Sequence, residues 1–232
     1  MKVQKPHSQL KEENIVSKQE LEKIIRTASS EDDEIDLSYR ILPYLKLSER
    51  EIPTTLNLQG ATILGPASLR ETKINGSLKM PEAIVKGPLY LEKAIIRGNL
   101  NLNEATIRGV INLVGSQIKG NLDCRQINTN GFISLAKAQV GKDFDLRKAK
   151  VQSADHEGLS IKGDVYLRKA VINGNLFFQE SVIEGSVDLV NALILGSMNL
   201  KDSKINKYLI VRNASLEEGL ILTGAQYQEI VK

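Results

Sequence analysis

Aromatic side chains are scarce: four Phe, six Tyr and no Trp make up 4% of the 232 residues. Large globular cores draw much of their bulk from aromatics. With 41% apolar residues overall, a core here must be thin or built from aliphatics. A single cysteine, Cys124, excludes a disulfide framework and fits a reducing, cytoplasmic setting. Two histidines, His7 and His156, with that one cysteine are too few ligands for a zinc site. No stretch approaches the roughly 18 apolar residues of a membrane span. The opening MKVQKPHSQLKEEN has no apolar h-region, so a signal peptide is not expected. Neither sign of charge dominates: 31 Lys plus Arg against 28 Asp plus Glu leave +3, too little to predict nucleic-acid binding. No P-loop and no dinucleotide glycine motif occurs, so no cofactor is expected.

What is abundant is order. Glycines fall at 65, 76, 87, 98, 109, 120 and 131, and again at 163, 174, 185 and 196, every step within each run being eleven. A small residue opens each unit, as in Ala61, Ala83, Ala94, Ala105, Ser116, Ala138, Ala149, Ala170, Ser181 and Ala192. Two positions later stands an aliphatic such as Ile63, Ile74, Val85, Ile96 or Ile107. After the Gly come two alternating aliphatics, as in Leu78 and Met80, Leu100 and Leu102, or Leu176 and Phe178. The unit is A-x-I-x-G-x-L-x-L-x-x. Apolar residues alternate with period two, the strand signature, and each run is short before the chain turns. A fixed repeat of short strands predicts an all-β solenoid, a parallel β-helix.

Eleven residues closed on themselves leave almost no interior, so two units, about 22 residues, are expected per coil. Residues 51–227 then make about eight coils, stacked at roughly 4.8 Å into a rod of roughly 40 Å. Residues 228–232 are expected as a tail. Residues 1–50 lack the period. Ser17-Lys18-Gln19-Glu20 reads as a capping box before Leu21, Ile24 and Ile25 at helical spacing, and a second short helix is expected within Ile35–Leu47, near Pro43. This segment reads as an N-terminal cap over open strand edges or as a recruiting element.

The faces Ala94-Ile95-Ile96 and Leu100-Asn101-Leu102 give the chain its likeness to a family: it resembles the pentapeptide-repeat proteins, in degenerate form, since faces alternate five and six residues apart and Leu replaces the small residue on every second face. The resemblance implies a right-handed, quadrilateral β-helix. It also implies two functions, pairing of copies through the C-terminal coil and imitation of DNA before topoisomerases. The second needs a strongly acidic surface, and residues 51–232 carry 22 basic against 18 acidic side chains, which disfavours it.

Chemistry is sparse. Cys124 occupies an inward column with no base beside it and reads as core. Asp155-His156-Glu157 is the one compact acid–imidazole cluster. It falls where the repeat slips, the step from Ala149 to Leu159 being ten, and reads as a polar bulge replacing one unit, with a metal or acid–base site as the alternative. No catalytic residue is assigned, and the protein is not expected to be an enzyme.

Two units per coil place alternate units on one wall. One wall collects Asn121, Asp123, Arg125, Asp143, Asp145, Arg147, Asp164, Tyr166 and Arg168, a self-neutralised face of pairs each worth under about 1 kcal/mol. The opposite wall collects Pro88, Tyr90, Val110, Val114, Phe132, Ala136 and Phe177. Outward apolar residues in one patch mark a covered surface. Pro88, Tyr90, Val110, Val114, Phe132 and Phe177 are therefore the candidate partner-binding residues. The cover would be the N-terminal helices, a second copy in a homodimer, or a different protein. Lys86, Arg97, Arg108 and Lys119 split into two pairs on opposite sides, which dilutes any nucleic-acid groove. The expected function is a protein-interaction scaffold, with a self-assembling structural element as the alternative.

The inward column is open to direct test. Leu100→Asp buries an unpaired carboxylate in an aliphatic stack and should cost several kcal/mol, of order 3 or more. Asn101→Asp, facing water, should be nearly silent. Equal melting temperatures for the two variants would show the column to be misassigned.

Overall fold

A computed structural model describes residues 14–29, 34–156 and 159–232, with the backbone alone at 155, 156 and 159–161. The chain winds into a parallel β-solenoid of about nine coils with four walls. Wall 1 runs from strand Glu34–Asp36 to Leu220–Ile221 and wall 2 from Ile41–Leu42 to Lys204–Ile205; wall 3 runs from Leu45–Lys46 to Glu229–Val231 and wall 4 from Glu51–Ile52 to Ser215–Leu216. Their strands number nine, eight, nine and eight. Walls 1 and 3 carry the L-x-L faces, and walls 2 and 4 the A-x-I faces. Rung partners are 22 residues apart, as in Leu78, Leu100 and Leu122 on wall 1.

Most strands are two residues long, too short to persist alone. Their stability comes from stacking, each coil covering the one before. From Ile52 to Leu209 the inward aliphatics among the described residues, and the alanines at the corners, are at most 2% exposed. Among the described residues the only fully buried aromatics are Phe144 and Phe178, so the core is the aliphatic column that the composition requires.

The two kinds of corner are built differently. Before each small residue the chain turns through a left-handed residue, such as Glu82, Lys93, Glu104, Lys137 or Lys148, with φ between 55 and 60°. The N–H of the small residue closes this turn on the second aliphatic, Ala94 donating to the Leu91 carbonyl at 3.1 Å. A left-handed non-glycine residue costs of order 1 kcal/mol, and only the packing above and below holds it there. The glycine corners have another cause. A Cβ on Gly131 would lie 2.8 Å from the Gly109 carbonyl carbon and 2.9 Å from the Val110 nitrogen. At Gly131 glycine is required because the coils pass too closely for a side chain, not for its φ.

Three features depart from the sequence reading. Residues 35–47, expected to hold a second helix, form the first coil instead, with strands Glu34–Asp36, Ile41–Leu42 and Leu45–Lys46. Its rung partners are 21 residues apart on walls 1 and 2, as in Ile35 with Leu56 and Ile41 with Thr62. The corner Leu42-Pro43-Tyr44-Leu45 is one residue short, and that hides the period. Residues 229–231, expected in a tail, pair with Tyr208–Ile210 as the last strand of wall 3. The third departure is the slip near residue 155. Ala154–His156 and Leu159–Ile161 form an antiparallel hairpin inserted at the corner between wall 2 and wall 3. Ser153 and Gly163 close its base, Gly163 N–H donating to Ser153 Oγ at 3.1 Å. Ser134 therefore pairs with Tyr166, 32 residues on, the usual 22 plus ten that lie outside the coil.

The Ser17 half of the expected capping box forms: Glu20 N–H donates to Ser17 Oγ at 3.1 Å at the start of helix α1, Lys18–Thr27. Helix α1 buries Leu21 and Ile25 against the first coil, whose Leu37, Leu42, Leu45 and Leu47 are at most 2% exposed. Glu20 and Glu22 reach Arg40 and Arg50 at 3.8 and 2.8 Å on two different corners, so the helix lies across the open end of the solenoid.

The corner account makes opposite predictions for two neighbouring sites. Gly131→Ala should lower stability by about 1–3 kcal/mol, because backbone must move to admit the methyl. Lys137→Gly, at φ 60°, should be neutral or stabilising by up to about 1 kcal/mol. Thermal melts of the two variants check this, and the reverse order would contradict it.

Candidate interaction surface

The outward face of each wall follows from the coil register. On wall 1 the polar side chains are used up internally. Thr55, Ser77, Asn99, Asn121, Asp143 and Asn175 stack at one edge, and each accepts the N–H of the residue one coil further on, at 2.7 to 3.1 Å. In the next column Asn101, Asp123, Asp145 and Asn199 each accept the N–H two residues ahead, which satisfies the turn. Arg125 also forks onto Asp123 at 2.6 and 2.9 Å, and Arg147 grips Asp145 in the same way. The self-neutralised face expected for residues 121–147 is present.

Wall 3 differs. Tyr44, Pro66, Pro88, Val110 and Phe132 occupy one column, each preceding the first inward residue of its strand. Tyr90 stands beside them, and Val114 and Ala136 lie across the wall. All are partly or fully exposed. Of the six residues assigned to a partner surface, Pro88, Tyr90, Val110, Val114 and Phe132 share this wall. Phe177 does not. It is the rung partner of Asp145 on wall 1, on the opposite side, with the Arg147 guanidinium 5.4 Å over its ring. Asp164, Tyr166 and Arg168, assigned to the charged face, move the other way and lie on wall 3. One cause explains both errors. The ten inserted residues are not half a coil, so every assignment beyond them changes sides.

Tyr166 fills the place left by Phe177. Its ring meets Phe132 edge to face, centroids 5.8 Å apart at 67°, a favourable arrangement. Its hydroxyl donates to Asp164 Oδ2 at 2.7 Å. Burial, helped by that carboxylate, pushes the phenol up to about 12. At the other end of the strip Arg70 lies 3.8 Å over the Tyr90 ring and pairs with Glu92 at 3.1 Å, while Asn112 Nδ2 donates to the same carboxylate at 2.9 Å. These contacts stiffen the wall's aromatic residues.

Tyr44 and Pro66 were missed as surface residues, and Tyr166 was placed outward but on the wrong wall. Tyr44 and Pro66 are legible in the column, since 44, 66, 88, 110 and 132 step by 22. Tyr44 is lost if the solenoid is started at residue 51, whereas Pro66 lies inside that range and was passed over.

Among the described residues the remaining candidates place no chemistry. Cys124 is wholly buried and its thiol is pushed well up by that burial, so it is no ready nucleophile. Among the described residues no group of three or more His, Cys, Asp or Glu is placed to hold a metal ion. The backbone of Asp155 and His156 lies in the hairpin, while their side chains and Glu157 lie outside the described residues. Lys86 and Arg108 flank wall 2, and Arg97 and Lys119 wall 4, on opposite sides. No helix among the described residues is long and apolar enough to cross a membrane. No family model matches the chain, and no curated protein matches it.

The Tyr166 environment gives a pH prediction. A folded phenol pKa near 12 against 10 unfolded adds stability below pH 10 that disappears as pH rises through about 12. Difference ultraviolet titration of wild type against Tyr166→Phe should show one phenol ionising near 12, and Asp164→Asn should bring it down. A phenol ionising near 10 in the folded protein would contradict this packing.

Proposed function

We propose that the protein is a non-enzymatic scaffold of the pentapeptide-repeat kind that binds a protein partner through wall 3. The observation that supports this reading is the apolar column Pro66, Pro88, Val110 and Phe132 with Tyr90, Val114 and Ala136, set in register on one wall, while most polar side chains of the opposite wall bond within it. Water gains nothing from such a strip, and a partner that covers it does. The stacked backbone presents the strip already ordered, so little conformational entropy is lost on binding.

A second reading, self-assembly, draws on a different observation. Inward side chains of the coil spanning residues 211–231, including Leu216, Leu220, Leu222 and Ile230, are only partly buried, unlike the first coil under α1. Copies paired through this layer would bury it.

One experiment separates the readings. A photo-crosslinking amino acid replaces Val110, Leu222 or, as a control, Phe177, in cells that produce the protein. The scaffold reading predicts an adduct of defined mass from position 110 with a protein other than this chain, and none from 177. An adduct of twice 25.7 kDa from position 222 supports self-assembly. Equal labelling at 110 and 177, or no adduct at 110, would overturn the proposal for wall 3.

A further inference from the structure

The apolar strip does not end at Pro66. It runs into a groove of about 490 Å³ where α1 crosses the first coils of wall 3. The groove is lined by Lys18, Lys46, Arg50 and Arg70 against one carboxylate, Glu22, with Pro66 and Tyr90 as its apolar floor. Two of the cations are already engaged. Arg50 pairs with Glu22 at 2.8 Å, and Arg70 lies between Tyr90 and Glu92. The other two are not. Lys18 makes no ion pair among the described residues, and Lys46 makes none either, its ammonium standing 5.0 Å over the Tyr44 ring. Two ammonium groups with no ion pair among the described residues thus stand at the mouth of an apolar channel, on the same wall as the strip and continuous with it.

We infer that this groove receives an acidic segment of the protein partner, and that the segment's apolar residues continue along Pro88, Val110 and Phe132. The inference rests on the wall 3 reading and adds to it the partner's chemistry and orientation, with carboxylates toward α1 and apolar side chains toward Phe132. Carboxylates suit the groove because its excess charge is positive and its floor is apolar, which raises the value of a charge pair formed there. A nucleic-acid strand fits less well. Its evenly spaced phosphates, running up the wall, would leave the basic residues after the first coils and pass onto Pro88, Val110 and Phe132, which offer no charge. A peptide can change from acidic to apolar where the wall does.

The test is selection of a random peptide display library on the full-length protein, followed by binding of one labelled winner to four variants confirmed as folded by thermal melting. The inference predicts winners with an apolar stretch and two or more Asp or Glu at one end. Such a peptide should lose about tenfold or more in affinity for Lys18→Glu/Lys46→Glu at 0.1 M salt. It should bind Lys201→Glu/Lys204→Glu, an equal charge change elsewhere, as well as it binds wild type, and Phe132→Glu and Tyr90→Glu should weaken it. Winners that need Phe132 but show no acidic bias, or that bind Lys18→Glu/Lys46→Glu normally, would overturn this inference and leave the wall 3 reading standing. Winners indifferent to Phe132→Glu, or no winners, would overturn both. Tight binding of a short single-stranded DNA, lost in Lys18→Glu/Lys46→Glu, would make the groove a polyanion site and also overturn the inference.

Discussion

Each coil gives its backbone hydrogen bonds to the next, and the rest of the molecule is subordinate to that in-register stacking. Leu100 N–H donates to Asn121 O, Leu102 to Asp123 and Glu104 to Arg125, at 2.7 to 2.9 Å, and the same pattern recurs along wall 1. Rungs near 4.8 Å leave no room between successive corners, which excludes a Cβ at Gly98, Gly120 and Gly131. They also hold exposed Glu and Lys residues in left-handed conformations that an isolated turn would not keep. They align like residues into columns, and on wall 1 this turns Ser, Asn and Asp side chains into a second, side-chain ladder beside the backbone one. Strands of two residues persist only because each is the middle of a stack.

Columns are also what makes a surface here. A side chain's neighbours are set by the count of residues between them, and by nothing local. Wall 3 is apolar through its middle because positions 66, 88, 110 and 132 fall one above another, although no segment of the chain is itself notably hydrophobic. Wall 1, built on the same count, differs: most of its ladder side chains already have partners within the protein. The contrast between the two walls underlies the functional reading, and the groove beside α1 gives the apolar wall a direction.

Much of this was legible in the sequence, because the period is strong and each column is chemically uniform. The inward set, the 22-residue coil, the corner glycines and the Ser17 cap all follow from spacing. The failures have one form, which is miscounting. A corner shortened by one residue at Pro43 concealed the first coil, so Tyr44 was not placed. The ten residues from Ser153 to Lys162 resemble the eleven-residue unit so closely in length that they pass for one, with Leu159 and Ile161 in its aliphatic places. They are instead a hairpin outside the coil. A unit would have kept alternate faces in step, whereas an insertion reverses them, and so Phe177 and Tyr166 exchange walls. Periodicity alone does not distinguish the two cases.

The central claim is therefore the register across that insertion, and oxidative crosslinking tests it most directly. In a Cys124→Ala background, cysteines are placed in pairs, Ser134→Cys with Tyr166→Cys and Asp145→Cys with Tyr166→Cys. Adjacent rungs bring Cα atoms within the roughly 4.4–6.8 Å that a disulfide spans. The structure predicts rapid, complete crosslinking of the 134–166 pair and none of the 145–166 pair. Crosslinking of 145 with 166 instead would mean that the ten residues do form half a coil, that Phe132 and Phe177 share a wall, and that the surfaces described for walls 1 and 3 are wrong beyond residue 153.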